Sequence, residues 1–150
     1  MEHSSTVRAT PVLSHRDVLA ALEIVRREVE AKARAAAIAI ADAHGELIAF
    51  ARCDGALIAS GTLAINKAFT AARLGRPTRL LGETLRAKGT DIAFYGDARY
   101  VGFPGGLPVR IDGVVAGAVA VSGLSDDEDE TLAGLGVAYL EGRAPASISA

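Results

Sequence analysis

Two charged residues, Asp54 and Lys67, stand beside segments that are otherwise small and apolar. Asp54 belongs to an Asp-Gly turn after an alternating apolar strand, and Lys67 lies within a small-residue helix. Charges are rarely left near a core unless they are paired or used. A desolvated lysine could act as a base, anchor a carboxylate or form a Schiff base, with Asp54 orienting it or moving a proton. The alternative is a structural ion pair that joins the strand end to the helix.

A glycine pair and a serine are the next candidates. In Pro104-Gly105-Gly106-Leu107-Pro108, Gly105 and Gly106 would let backbone amides approach a ligand and form an anion-binding concavity. The same glycines could instead simply lead the chain into a strand. Ser122 could contribute one polar contact to a pocket, or bond to backbone at a strand end. A serine hydrolase is not predicted, because the G-x-S-x-G pattern is absent.

The histidines of this chain are His3, His15 and His44, and no two of them have the spacing of metal ligands. We therefore predict no metal site. His15 falls in the first turn of a predicted helix, beside the apolar positions Val18 and Leu19, where it could serve as an axial ligand of haem. His3 lies in a terminal tail and His44 in a turn, so both fit that role less well.

Other side chains have two interpretations each. Tyr95 and Tyr100 are alternative axial ligands, or they pack an irregular loop. Cys53 would be a reactive thiol if Lys67 or Arg52 lowered its pKa, and otherwise a small core residue. As the single cysteine it excludes an internal disulfide and a cysteine-cluster metal site. Three arginines near a helix junction would bind a carboxylate substrate, or cap helix carbonyls and solvate the surface: Arg73, Arg76 and Arg79.

Length and composition limit the class of protein. The 150 residues suit one domain with a full-sized core, and half of them are hydrophobic while only 5% are aromatic. A net charge of −2 does not favour nucleic acid or an anionic membrane as partner. Since the sequence has neither an apolar signal region nor a run long enough to span a bilayer, we expect a cytoplasmic protein. We assign residues 1–12 and 143–150 to flexible tails and residues 13–142 to the domain.

The first half of the chain shows a helix, a hairpin and two further helices. Ser14 can cap a helix that runs to about Arg34. Residues 37–41 and 46–53 are typical of two strands joined by a turn. Ser60 or Thr62 can cap the next helix, and Gly75 ends it. A third helix then opens at Pro77.

The second half begins with a loop at residues 89–106. The Asp112-Gly113 pair is a strong hairpin signal between strands at residues 108–111 and 114–121. Acidic residues at 126–130 favour the N-terminus of a last helix, because the helix dipole stabilises negative charge there. Two hairpins with helices between them predict an α+β domain, in which helices cover an antiparallel sheet.

Six short motifs occur in one order over roughly residues 14–142: Ala41-Asp42-Ala43-His44-Gly45, Arg52-Cys53-Asp54-Gly55, Ala64-Ile65-Asn66-Lys67-Ala68-Phe69-Thr70-Ala71, Gly75-Arg76-Pro77-Thr78, Pro104-Gly105-Gly106-Leu107-Pro108 and Val121-Ser122-Gly123. With these motifs the chain resembles the GlcG/HbpS-like family, also called the haem-degrading or PduO C-terminal-like family. The resemblance implies a profilin-like α+β fold, a five-stranded antiparallel sheet with helices on both faces, and a strong tendency to form oligomers.

The resemblance also sets the functional expectations, because the family includes haem-binding proteins. We expect an even-numbered homo-oligomer that binds haem, as a candidate cofactor, or a related small ligand. The alternative is a cofactor-independent enzyme that acts on a small carboxylate or carbonyl compound by proton transfer with Lys67 and Asp54. A third interpretation is a structural or regulatory assembly protein without small-molecule chemistry.

Overall fold

In a computed structural model of the protein, which describes residues 6–143, two β-hairpins form one sheet that carries helices on both faces. The four strands lie in the order β2-β1-β4-β3, and every neighbouring pair is antiparallel. The elements in chain order are α1 (His15–Ala31), β1 (Ala37–Asp42), β2 (Leu47–Arg52), α2 (Ile58–Leu74), α3 (Thr78–Lys88), a 3-10 helix (Ile92–Tyr95), β3 (Gly106–Ile111), β4 (Val114–Ser122) and α4 (Asp126–Leu140).

The prediction of a fifth strand is wrong, whereas the prediction of the α+β class is confirmed. The two hairpins supply all the strands found within residues 6–143. Between α3 and β3 the chain forms a single 3-10 turn, flanked by Gly89 and Gly96 in left-handed conformations. Such glycines end a helical turn and reverse the chain, so this segment does not extend alongside the sheet.

Alternation along β1 decides which helix packs on which face. Ile38 and Ile40 belong to a core cluster with the buried residues of α1 and α4. Ala37, Ala39 and Ala41 point to the other face and pack against alanines of α2. Because successive strand residues face opposite sides, large residues fill one layer, while small ones let α2 lie close to the sheet.

Two predicted helix ends agree with the structure, whereas α1 ends at Ala31 rather than at about Arg34 and the start of α2 also differs. Ser14 caps α1 by accepting a hydrogen bond from the Asp17 amide at 3.2 Å, and Gly75 ends α2 with φ +64°. The predicted cap of α2 at Ser60 or Thr62 is wrong, because the helix begins at Ile58 without a side-chain cap. The Ala56 amide donates to the Cys53 carbonyl in a turn directly before the helix, so the helix begins before Ser60. The Ser60 hydroxyl is thereby left free for other contacts.

The second hairpin and the last helix form as predicted. Asp112 and Gly113 both have positive φ, which is the type I′ geometry that an Asp-Gly pair favours. The hydroxyl of Ser125 caps α4 by accepting from the Glu128 amide at 3.2 Å, and acidic residues fill the first turn. Within residues 6–143, no helix is both long enough and apolar enough to cross a membrane.

Candidate functional site

Lys67 lies in the middle of α2 and is only 2% exposed. Its Nζ donates to the Val121 carbonyl oxygen at 2.9 Å and to Asp129 Oδ2 at 3.2 Å. The ammonium group therefore connects α2 to the end of β4 and to the first turn of α4. Asp54, the partner that we expected, is instead exposed in the turn before α2, and the described residues include no ion pair between Asp54 and Lys67.

The buried carboxylate of Asp129 completes this pair. Its Oδ1 accepts from the Leu124 amide at 3.0 Å, while Oδ2 accepts from Lys67. Burial raises the pKa of Asp129, and the charge of Lys67 offsets that rise in part. Burial also lowers the pKa of Lys67 against the opposing effect of Asp129. Burial therefore moves the two pKa values towards each other.

Gly105 and Gly106 pack directly around Lys67. At Gly105, where φ is +125°, an added Cβ would lie 2.5 Å from the Val121 oxygen and 2.8 Å from Lys67 Nζ. At Gly106 it would lie 2.6 Å from the Lys67 carbonyl oxygen, and the Gly106 amide already donates to Thr78 Oγ1 at 3.0 Å. Both positions need glycine because the backbone approaches the lysine too closely for a side chain.

A cavity of about 240 Å³ opens beside the ion pair. Its polar lining includes Lys67, Asp129, Ser60 and Ser122, and its apolar lining includes Leu63 and Phe103. Ser60 and Ser122 are 4% and 3% exposed. Neither hydroxyl bonds to another described residue. Because every fully enclosed polar side-chain atom in the described part of the chain has a partner, the oxygens of these two hydroxyls are not fully enclosed. Both hydroxyls therefore keep their remaining contact with the cavity.

His15 lies in a different part of the molecule. It is the exposed first residue of α1, and it follows Leu13 and Ser14, which line a larger cavity of about 520 Å³ together with Tyr139 and others; His15 itself does not line this cavity. Tyr139 is near the end of α4, whereas Asp129 is in its first turn. A helix rises 1.5 Å per residue, so about 15 Å of α4 separates the two cavities. The candidate residues thus divide into a Lys67 site, with Gly105, Gly106 and Ser122, and a His15 site.

Apart from His3, the other candidate axial ligands lie between the α-helices and strands of the described residues. His44 is exposed in the turn between β1 and β2, where its amide donates to Asp42 Oδ1 at 2.8 Å. The Tyr95 and Tyr100 rings pack 5.5 Å apart, as expected for residues that fill the irregular segment. His3 falls outside the described residues.

Cys53 and two of the arginines also have structural contacts. Cys53 is partly buried and packs against the larger core cluster. Arg79 pairs with Glu130 at 3.1 Å and Asp127 at 2.8 Å, and Arg73 stacks over the Phe69 ring. Among residues 6–143, no group of three or more His, Cys, Asp or Glu side chains is placed to hold a metal ion.

Asp129 is the site residue that the sequence analysis missed. It belongs to the acidic run at residues 126–130, which from the sequence alone is interpreted only as a complement to the helix dipole. The signal lay in the helical period: Leu132 and Ala133, three and four residues later, are apolar and buried. A charged residue on that same face must enter the core and needs a partner there.

Comparison with known proteins now identifies the family. The model of the family "haem degrading protein HbpS-like" matches residues 13–138. The chain belongs to the HbpS-like family. One relative, the uncharacterised 15.0 kDa protein in the dhaT-dhaS intergenic region of Citrobacter freundii, is 33% identical over 121 residues, or 77% of this chain and 85% of the relative.

Two solved structures agree with this fold. A double mutant of HbpS from Streptomyces reticuli superposes with a TM-score of 0.81 at 26% identity, covering 93% of this chain and 94% of that one. The PduOC:heme complex superposes with a TM-score of 0.79 at 25% identity, covering 86% and 95% of the two chains.

Proposed function

We propose that this HbpS-like protein binds haem or a related small ligand, and that His15 supplies the axial ligand. Membership of a family described as haem-degrading supports a haem-related role. The likeness to a protein solved as a haem complex supports binding in particular. Neither comparison says which residue of this chain would bind the haem iron. The choice of axial ligand therefore rests on the side chains of this chain.

The observation that carries the assignment is the exposed imidazole of His15 on the first turn of a rigid helix. Val12 and Leu19 are large apolar side chains that stay exposed near it in sequence. A haem needs an axial nitrogen together with apolar surface for the macrocycle, and these residues offer both. His44 is also exposed, but it lies in a turn rather than on a helix. The side chains around His15 therefore fit the group, which would supply redox or ligand-binding chemistry at its iron.

Haem titration of matched histidine variants tests the proposal. Wild-type protein should develop a Soret band at one equivalent, and His15→Ala should shift that band and weaken binding by about tenfold or more, equivalent to about 1.4 kcal/mol. His44→Ala is the matched control, because it removes another exposed imidazole and should leave the spectrum unchanged.

Spectra that are identical for wild type and His15→Ala would reject His15 as the ligand. Tyr95→Phe and Tyr100→Phe then test the two remaining candidates, since each removes only a phenolic oxygen. If neither variant changes the Soret band, haem binding is rejected as a specific property of this chain.

The proposed form of the protein is a homo-oligomer with an even number of subunits. Large apolar side chains left exposed on the described part of the chain support self-association. The cytoplasmic location stays a prediction from the sequence. The enzymatic alternative loses its predicted contact between Asp54 and Lys67, although Lys67 itself retains a cavity.

A further inference from the structure

The Lys67 cavity contains hydrogen-bond donors that the protein does not use. A lysine ammonium has three N–H groups, and Lys67 directs two of them to Val121 and Asp129. The hydroxyls of Ser60 and Ser122 lie at the same cavity without a described partner. Buried polar groups are normally satisfied by the protein, by water or by a ligand. The cavity is therefore suited to a ligand that accepts hydrogen bonds.

The charges around the cavity favour a ligand that accepts hydrogen bonds but carries no charge. Asp129 already balances the charge of Lys67, and Asp126 adds a further negative charge at the exposed rim. A carboxylate ligand would meet both aspartates, whereas a carbonyl oxygen uses the donors without that repulsion. At about 240 Å³ the cavity equals roughly eight water volumes, so the compound has to be small.

We propose that this cavity binds a small uncharged aldehyde or ketone, and that Lys67 Nζ condenses reversibly with its carbonyl carbon to form an imine. The site is independent of the proposed haem site, because the length of α4 separates the two. Desolvated lysines are known to serve as amine nucleophiles, and here the carboxylate needed for proton transfer is 3.2 Å from Nζ.

The condensation balances without an outside reagent. Asp129 takes a proton from the Lys67 ammonium, and the nitrogen lone pair then forms a bond to the carbonyl carbon. The carbonyl π electrons move to oxygen, which receives the proton back from Asp129, and the nitrogen keeps its remaining protons. One of the nitrogen protons then moves to the hydroxyl oxygen, the carbon–oxygen bond breaks, and water leaves. The protonated imine keeps the single positive charge of Lys67, so the pairing with Asp129 persists.

Reductive trapping of the native protein tests this site directly, because the chain has three lysines. Purified protein is incubated at neutral pH with acetone and cyanoborohydride, and alkylation of each lysine is followed by peptide mass spectrometry. Lys32 and Lys88 are exposed and serve as internal controls. We expect Lys67 to be alkylated at least tenfold faster than either, and the same comparison in denaturant should lose this preference.

Three variants separate an active cavity from a merely reactive lysine. Asp129→Asn should slow the trapping at Lys67 at least tenfold, because it removes the group that takes the proton. Ser60→Ala and Ser122→Ala should raise the acetone concentration needed for half-maximal rate while the protein stays folded. Alkylation of Lys67 no faster than that of Lys32 and Lys88 would overturn the proposal and leave a structural ion pair.

Discussion

At the scale of single residues, the buried pair of Lys67 and Asp129 joins three elements at a cost in desolvation. For each partner, burial is the largest influence on the pKa, and it opposes the charged form. Removing one partner of such a pair costs roughly 3–5 kcal/mol, because the other charge stays buried alone. The pair therefore persists as a unit, and its net contribution to stability depends on pH.

We predict that wild type gains stability relative to Asp129→Asn as the pH falls from about 7 to about 4. Because burial raises the pKa of Asp129, the folded protein holds this proton more tightly than the unfolded chain. That contribution is fully present below the ordinary value of 3.8 and is lost as the pH rises through the raised pKa. Urea unfolding of both proteins across this range measures the difference, and a constant difference would contradict the prediction.

Sequence reasoning found half of this pair. Lys67 is recognisable because a charge interrupts a run of small apolar residues. Asp54 was the nearest acid at a structural turn, but sequence proximity does not place it against the helix. The true partner is 62 residues away, and only the packing of α4 on β4 brings it to Lys67. A pairing of this kind depends on tertiary structure. The local sequence contains only the helical spacing of apolar residues, which shows that Asp129 faces the core but not which residue it contacts.

At the scale of elements, close approach between the strand entry and α2 depends on Gly105. We predict that Gly105→Ala destabilises the protein by about 2–4 kcal/mol, since strain at positive φ adds to overpacking. An added Cβ would lie 2.5 Å from the Val121 oxygen. Thermal or urea unfolding measures the loss.

Gly123→Ala is the matched control for Gly105→Ala. Its φ of +127° is almost the same as the +125° of Gly105, but the nearest atoms to an added Cβ lie at 3.3 Å. The two variants therefore share backbone strain and differ in crowding. If Gly123→Ala loses as much stability as Gly105→Ala, backbone strain alone explains both, and the close packing around Lys67 contributes nothing.

Elements with strong local signals were predictable, and those without them were not. Asp112-Gly113 specified its hairpin, because few residue pairs accept two positive φ angles in succession. Gly75 specified the end of α2 for a similar reason. The start of α2 has no capping side chain, so the sequence pointed instead to Ser60 or Thr62, inside the helix. The same shift places Ser60 at the Lys67 cavity.

At the scale of the whole molecule, local patterns correctly gave two hairpins, while the expected fifth strand came from family resemblance alone. The order of the strands follows from β1 pairing with β4, a contact between hairpins that no turn signal encodes. This arrangement leaves β2 and β3 as the sheet edges. Edge strands and exposed apolar residues are surfaces that proteins cover or protect.

The prediction at this scale is that the protein is a closed oligomer with an even number of subunits. Leu57 and Ile58 are 74% and 79% exposed at the start of α2. The exposed Phe50 of the edge strand β2 packs on the same helix about one turn later, since its ring is 3.2 Å from a Cβ added at Gly61. Covering a large aliphatic side chain contributes about 1.5–3 kcal/mol, and a two-fold axis would bury this patch on both copies at once.

Light scattering coupled to size exclusion should therefore give an even multiple of the chain mass at micromolar concentration. The double variant Leu57→Asp/Ile58→Asp should move the protein towards a monomer while its circular dichroism stays native, because these side chains contribute little to the core of a single chain. Val12→Asp is the control, as Val12 is 88% exposed but lies beside the other cavity. A monomeric mass for wild type would contradict oligomer formation. An unchanged mass for the double variant would move the interface away from the start of α2.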